Sequence, residues 1–338
     1  MNGFGITGWL DAAVAGVIGA STPLSAKEPG FLPAYKAIGL AGELTAHVRA
    51  YPVVKPEAGL SQLDVVQQLQ AQYRNIPNFK IPGLKVFADG VVEMPSQTAA
   101  LTRPYLNSGR QVAPLFTAEQ INPLASEAYR RGLTVHIHAI GDLGVKASLD
   151  AFEAVRKAVP DTKLPMVMTH VQFADPEDIP RFGQLRVIAA LQLLWAPREG
   201  STDESVQPYV DPAIYKWQYP ARSMLDSGAV IAGASDWFVS SPNPFLAIFQ
   251  AETRTGGPGA FDDSQRMPRE AMLYAYTRNA AAALDMSAEI GTISAGKLAD
   301  LVLVDRDVLT VPSKELAAAK VVWTMFGGKV VSGQSPLN

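Results

Sequence analysis

The chain is 338 residues long, 48% of them hydrophobic, with a formal net charge of -3 and no cysteine. Such a chain can bury a barrel-sized core with a small appendage. The near-neutral charge, with no block of Lys and Arg, excludes the concentrated basic face that nucleic acid or an acidic membrane needs, and the lack of thiols means that any metal must be held by nitrogen and oxygen.

The opening stretch MNGFGITGWLDAAVAGVIGA is apolar, but it has no basic first segment and carries Asp11, which argues against a signal peptide. No uncharged run reaches the about 18 residues that a membrane span requires. A cytoplasmic protein is expected. Residues 5–10 read as a strand, 32–44 as a helix, 45–53 as a strand, 60–73 as an amphipathic helix and 83–88 as a strand. A long irregular excursion follows over 90–116, with Pro95, Arg103, Pro104 and Gly109, of the kind that covers functional sites.

The pattern then gives a helix at 117–131, a strand at 133–138, a helix at 144–159 and a strand at 165–171. A short helix after Asp175-Pro176 leads to a strand at 187–194, a second long loop to about 215, a helix at 216–225 and a strand at 230–235. Helices at 245–255 and 268–284 complete this part. Alternation of this kind favours parallel βα units. The seven strands so read are one fewer than a closed barrel takes. From Gly291 the character changes: GTISAGKLADLVLVD opens a short alternating strand, and 321–326 with 329–331 form a hairpin around Gly327-Gly328. The expected division is a barrel over 1–285 and a small β-rich unit over 286–338.

Lys85, His138, His170 and Asp236 lie in or just after strands leading into loops, where a β/α barrel carries its chemistry. Each also has a plainer reading. Lys85 could be a cation paired with Asp89 or Asp236, the histidines satisfied core residues, and Asp236 a cap for the following turn. His136 shares a strand face with His138; it is a hydrogen-bond partner of the ligands, a substitute ligand, or a barrel-core residue. His47 is read as structural. Trp195 and Trp237 follow strand ends and would line an apolar acyl or aryl pocket, although packing explains a Trp equally well.

At these residues the chain resembles the amidohydrolase superfamily, and within it the branch around N-substituted formamide deformylase. The ordered motifs are KVFADG from Lys85, VHIHAIGD from Val135, THVQ from Thr169, ASDWFVSSPNP from Ala234, YTRNAAAAL from Tyr276 and GTISAGKLADLVLVD from Gly291. The resemblance implies a TIM-type barrel, here without its first strand and that strand's His-x-His, and a residual C-terminal β-sandwich fragment. It implies that Lys85 is carboxylated and binds metal with His138 and His170, while Asp236 activates water. It also marks a departure at Leu191-Gln192-Leu193-Leu194-Trp195-Ala196-Pro197-Arg198, where relatives often carry Met-Gln-Pro-x-His.

Two imidazoles and one carboxylate-like oxygen leave a fourth position for water on a tetrahedral zinc ion, the arrangement of a catalytic site. The expectation is a hydrolase that cleaves a C–N or C–O bond of a small amide or ester with one divalent metal, zinc first. The alternative is a catalytically impaired remnant or ligand-binding subunit completed by a partner chain. The strands at 5–10 and 230–235 would be open edges, so self-association, direct pairing of the two, or co-assembly with a chain that supplies the missing strand is expected.

Overall fold

The computed structural model describes residues 1–15, 30–257 and 259–334, so residues 16–20 of the apolar opening stretch and the last four of the tail lie outside the described residues. Three short strands, β1 (Gly8–Asp11), β2 (His47–Ala50) and β3 (Phe79–Lys80), form a parallel sheet in that order. Five more, β4 (Gly83–Phe87), β5 (Thr134–Ala139), β6 (Met166–His170), β7 (Val187–Leu191) and β8 (Val230–Gly233), form a second parallel sheet in chain order. The two meet where the chain beyond β2 runs beside β4. There Val53 bridges Lys85, whose N–H donates to the Pro52 carbonyl at 2.8 Å.

Every position of β5, β6 and β7 is buried. Strands covered on both faces run apolar without alternation, which is why these segments are so plain in the sequence. Helices Ala118–Arg130, Asp142–Ala158, Ile179–Leu185 and Ala221–Asp226 alternate with β4 to β8, as right-handed parallel crossovers require. The first opens with a capping box in which Thr117 and Gln120 satisfy each other's backbone N–H groups. This is the parallel α/β architecture expected of a TIM-like barrel.

Two helices read as single are interrupted. The 268–284 segment splits into Arg269–Ala275 and Arg278–Ala283, with Thr277 at φ -124°, ψ -97° between them. The 216–225 segment becomes helical only at Ala221, because left-handed Tyr219 and Pro220 precede it. The 195–215 loop holds short helical turns at Gly200–Ser205, Gln207–Tyr209 and Pro212–Tyr215. It packs on the 90–116 excursion, which has no regular element: Val92, Leu101 and Tyr105 join Val206, Val210 and Tyr215 in one small core. Backbone bonds from Met94 N–H to Ser205 O and Leu106 N–H to Tyr209 O, both 2.9 Å, tie the two together.

Among the described residues β1 and β8 do not pair with each other. Residues 276–286 stand between them. Asn279 Nδ2 donates to the β8 carbonyl of Ile231 at 2.8 Å, Arg49 Nε donates to Leu284 O at 3.1 Å, and Leu284 and Met286 pack with Leu10 of β1. Ala283 enters the interior beside Val167, Ile188 and Ala232.

A two-residue ribbon, β9 (Thr255–Gly256) with β10 (Gly259–Ala260), precedes the final sheet. That sheet is antiparallel, β11 (Leu301–Val304), β12 (Val321–Phe326) and β13 (Lys329–Gly333). Gly327 and Gly328, at φ 54° and 84°, make the two-residue turn between the last two strands, a conformation only glycine adopts without cost. His47 Nε2 on β2 meets Asp300 Oδ2 at 2.9 Å, and Thr324 Oγ1 donates to Asn2 O at 2.7 Å, so this sheet is fastened to β2 and to the N-terminal turn Asn2–Phe4. No helix among the described residues is long and apolar enough to cross a membrane.

Candidate active site

Register brings the site together. Lys85 of β4 sits opposite His136 of β5, and His138 opposite Thr169 of β6. Because a strand alternates its faces, Lys85, His136, His138 and Thr169 all share one side of the sheet. Strict alternation would send His170 to the helix side with Met166 and Met168. Instead His170 and Val171 take left-handed backbone angles, φ 74° and 47°, and the His170 ring comes to 4.5 Å from that of His138. Such angles cost about 1–2 kcal/mol each for a side chain with a Cβ, so packing at this strand end over-determines them.

The four groups are deeply buried, with Lys85 2%, His136 3%, His138 5% and His170 7% exposed. Burial dominates their titration. Lys85 is lowered to about 7 by desolvation, with the Asp236 charge opposing, and its Nζ lies 3.0 Å from His136 Nδ1. His138 is lowered to about 3, and His136 and His170 fall well below the ordinary histidine value, each by desolvation first. The imidazoles are therefore neutral and keep a lone pair. His138 Nε2 lies 2.8 Å from the Gly90 carbonyl oxygen, which can only accept, so the proton is on Nε2 and the lone pair on Nδ1. His170 Nδ1 is buried with no hydrogen-bond partner.

Asp236 stands exposed at the mouth with φ 54°; partial desolvation of its carboxyl raises its pKa, and Lys85 opposes the rise. Among the described residues no ion pair joins Lys85 to Asp236 or to Asp89. Asp89 has another task. Fully buried, it accepts backbone N–H groups from Ala100, Ile140 and Gly141 at 2.8 to 3.0 Å, pinning the 90–116 excursion to the end of β5. Its Oδ1 also lies 3.6 Å from His138 Nε2. Sequence reading weighed Asp89 only as a partner for Lys85 and missed this clamp; the available signal was an aspartate directly after an apolar strand, followed by Gly90.

Trp195 stacks on His170, ring centroids 6.0 Å apart and 9° from parallel, so it lies against the site. Trp237 is 60% exposed beside Phe238 at 86% and Val239 at 69%, an open apolar rim next to Asp236.

A family model described as the amidohydrolase family matches residues 26–332. The chain belongs to the amidohydrolase family. Protein LONG AFTER FAR-RED 3 of Arabidopsis thaliana is 31% identical over 73% of this chain and 42% of its own length. The N-substituted formamide deformylase of Arthrobacter pascens is 28% identical over 64% of this chain and 40% of its own length. An uncharacterized metal-dependent hydrolase from Pyrococcus horikoshii superposes with a TM-score of 0.69 at 23% identity, over 84% of this chain and 55% of that one, a likeness of fold. This amidohydrolase chain thus spans less than half the length of the two curated relatives.

Among the described residues, no group of three His, Cys, Asp or Glu side chains is placed to hold a metal ion. The site offers two neutral imidazoles, that of His138 with its lone pair on Nδ1, and a buried lysine that desolvation holds near neutrality. That donor set fits a divalent ion when Lys85 supplies the third ligand.

Proposed function

We propose that this amidohydrolase is a metal-dependent hydrolase that cleaves a C–N or C–O bond of a small amide or ester, with Lys85, His138 and His170 holding one divalent ion, zinc first. The observation that carries the reading is the convergence of two neutral, buried imidazoles, ring centroids 4.5 Å apart, on the sheet face that also carries the buried Lys85 amine. When bound, the ion lowers the pKa of a coordinated water to about 7 and polarises the scissile carbonyl.

The chain's own groups do the rest. Neutral Lys85 can add through its nitrogen to carbon dioxide, forming an N–C bond and releasing a proton, which gives the anionic oxygen ligand. Burial among apolar strands keeps the His138 and His170 lone pairs free for binding. Asp236 accepts a proton from the attacking water and returns it to the departing amine or alcohol. His136 supports Lys85 through the 3.0 Å contact between their nitrogens. Trp195 and the Trp237 rim receive an apolar acyl or aryl group.

Elemental analysis of the purified chain, alongside a panel of activated esters and small amides, tests the proposal. About one equivalent of zinc with turnover supports it, and His138→Ala and His170→Ala should each lose the metal. If both variants retain the parent's metal, the ligand assignment is wrong. An inert, metal-free parent that gains turnover only with an added partner chain would favour the remnant reading.

A further inference from the structure

We infer that Gln192, at the end of β7, positions His170 by fixing which ring nitrogen carries the proton. The consequence for metal binding rests on the hydrolase reading above; the positioning itself does not.

Gln192 is 2% exposed, and its Nε2 donates to Thr169 Oγ1 at 3.0 Å. Thr169 Oγ1 in turn donates its only proton to Ala190 O at 3.2 Å, so toward Gln192 it can only accept. The amide is therefore oriented without ambiguity, with NH2 on Thr169 and Oε1 turned away from it. That Oε1 is buried and has no partner, and neither has the buried His170 Nδ1. The Gln192 side chain lies beside the His170 ring.

A neutral His170 protonated at Nδ1 and facing Gln192 Oε1 satisfies both orphan atoms and leaves the Nε2 lone pair for the site. The same strand end restrains the ring. Trp195 N–H donates to Gln192 O at 3.0 Å, closing the turn Leu193–Trp195 that lays the Trp195 ring nearly parallel to His170. His138 reaches the complementary state through the Gly90 carbonyl, with its proton on Nε2. The two rings thus present different nitrogens, each set by a neighbour that can only accept.

With only four histidines in the chain, long-range 1H–15N correlation spectra of the metal-free protein can assign each ring's tautomer. The parent should show His170 protonated at Nδ1. Gln192→Leu should shift it toward Nε2 protonation or a mixture, and zinc affinity, read by competition with a chromophoric chelator, should fall about tenfold to a hundredfold. Thr169→Val, which frees the amide to rotate, should shift the tautomer partway and serves if the Leu variant does not fold. A parent protonated at Nε2, or an unchanged tautomer in Gln192→Leu and Thr169→Val, overturns the inference. A parent with the expected tautomer that binds no zinc leaves it standing and sinks the hydrolase reading instead.

Discussion

The β4–β8 sheet and the side spanned by residues 276–286 join their neighbours by different means. Along β4–β8 each strand is held to the next by a continuous parallel ladder. Between β8 and β1 the connection is made by side chains and apolar contacts: one amide on a strand carbonyl, one guanidinium on a helix-end carbonyl, and the packing of Leu284 and Met286 on Leu10. A ladder fixes register residue by residue, whereas side-chain contacts tolerate shifts of a few tenths of an ångström. Lys85, His136, His138 and His170 all lie on the ladder side and Asp236 just beyond it. The proposed chemistry therefore sits where register is specified.

The largest expected effect comes from breaking the ladder side at its clamp. Asp89→Ala strips three buried backbone N–H groups of their acceptor, each worth about 1–3 kcal/mol when orphaned. A loss of at least about 3 kcal/mol is expected, read as a lower denaturation midpoint at unchanged slope. A loss below about 1 kcal/mol would mean that water or a rearranged loop replaces the carboxylate.

Next in size is Asp236→Asn, which keeps the shape of an exposed mouth residue and removes its proton acceptance. Turnover should fall about a hundredfold or more, with stability nearly unchanged. Near-normal turnover would reduce Asp236 to a turn residue and leave the ladder side with binding groups alone.

How much of this was legible in the sequence follows the same division. The doubly covered strands β5, β6 and β7 are plain because burial on both faces leaves unbroken apolar runs, so a polar residue near their ends stands out. His138 is readable on that ground. His170 is readable as a neighbour of His138 through the family resemblance alone, because its approach depends on a left-handed turn that alternation contradicts. The roles of Asp89 and Gln192 were hidden for a different reason. Their partners are Ala100, Ile140 and Gly141, 11 to 52 residues away, and Thr169, 23 residues away, and no local pattern carries such contacts. The break at Thr277 escaped because 268–284 has continuous helical periodicity and the interruption comes from tertiary packing. Tyr276 lies so close over Gly233 of β8 that a Cβ there would meet its ring at 2.4 Å.

The rim gives a smaller effect. Trp237→Ala removes an exposed ring that packs only partly, so stability should stay within about 0.5 kcal/mol. KM for an aryl ester should rise several-fold while kcat holds, the signature of binding lost equally from ground and transition states. If KM for aryl and small alkyl esters is unchanged, the rim is not part of the substrate pocket.

The smallest effect tests the open side. Asn279→Ala removes the amide that caps the Ile231 carbonyl on β8, a single neutral hydrogen bond worth about 1 kcal/mol. Because that carbonyl lies on the strand edge away from the ladder, the loss should stay local: faster amide exchange over residues 276–286, with zinc affinity and turnover within about twofold of the parent. Self-association through the β1 and β8 edges requires residues 276–286 to move aside, so the same variant should also dimerise more readily than the parent if those edges pair with a second chain. A tenfold drop in zinc affinity in Asn279→Ala would mean that the open side and the proposed metal-binding face move together. Register in β4–β8 would then depend on the 276–286 segment as much as on its own ladder.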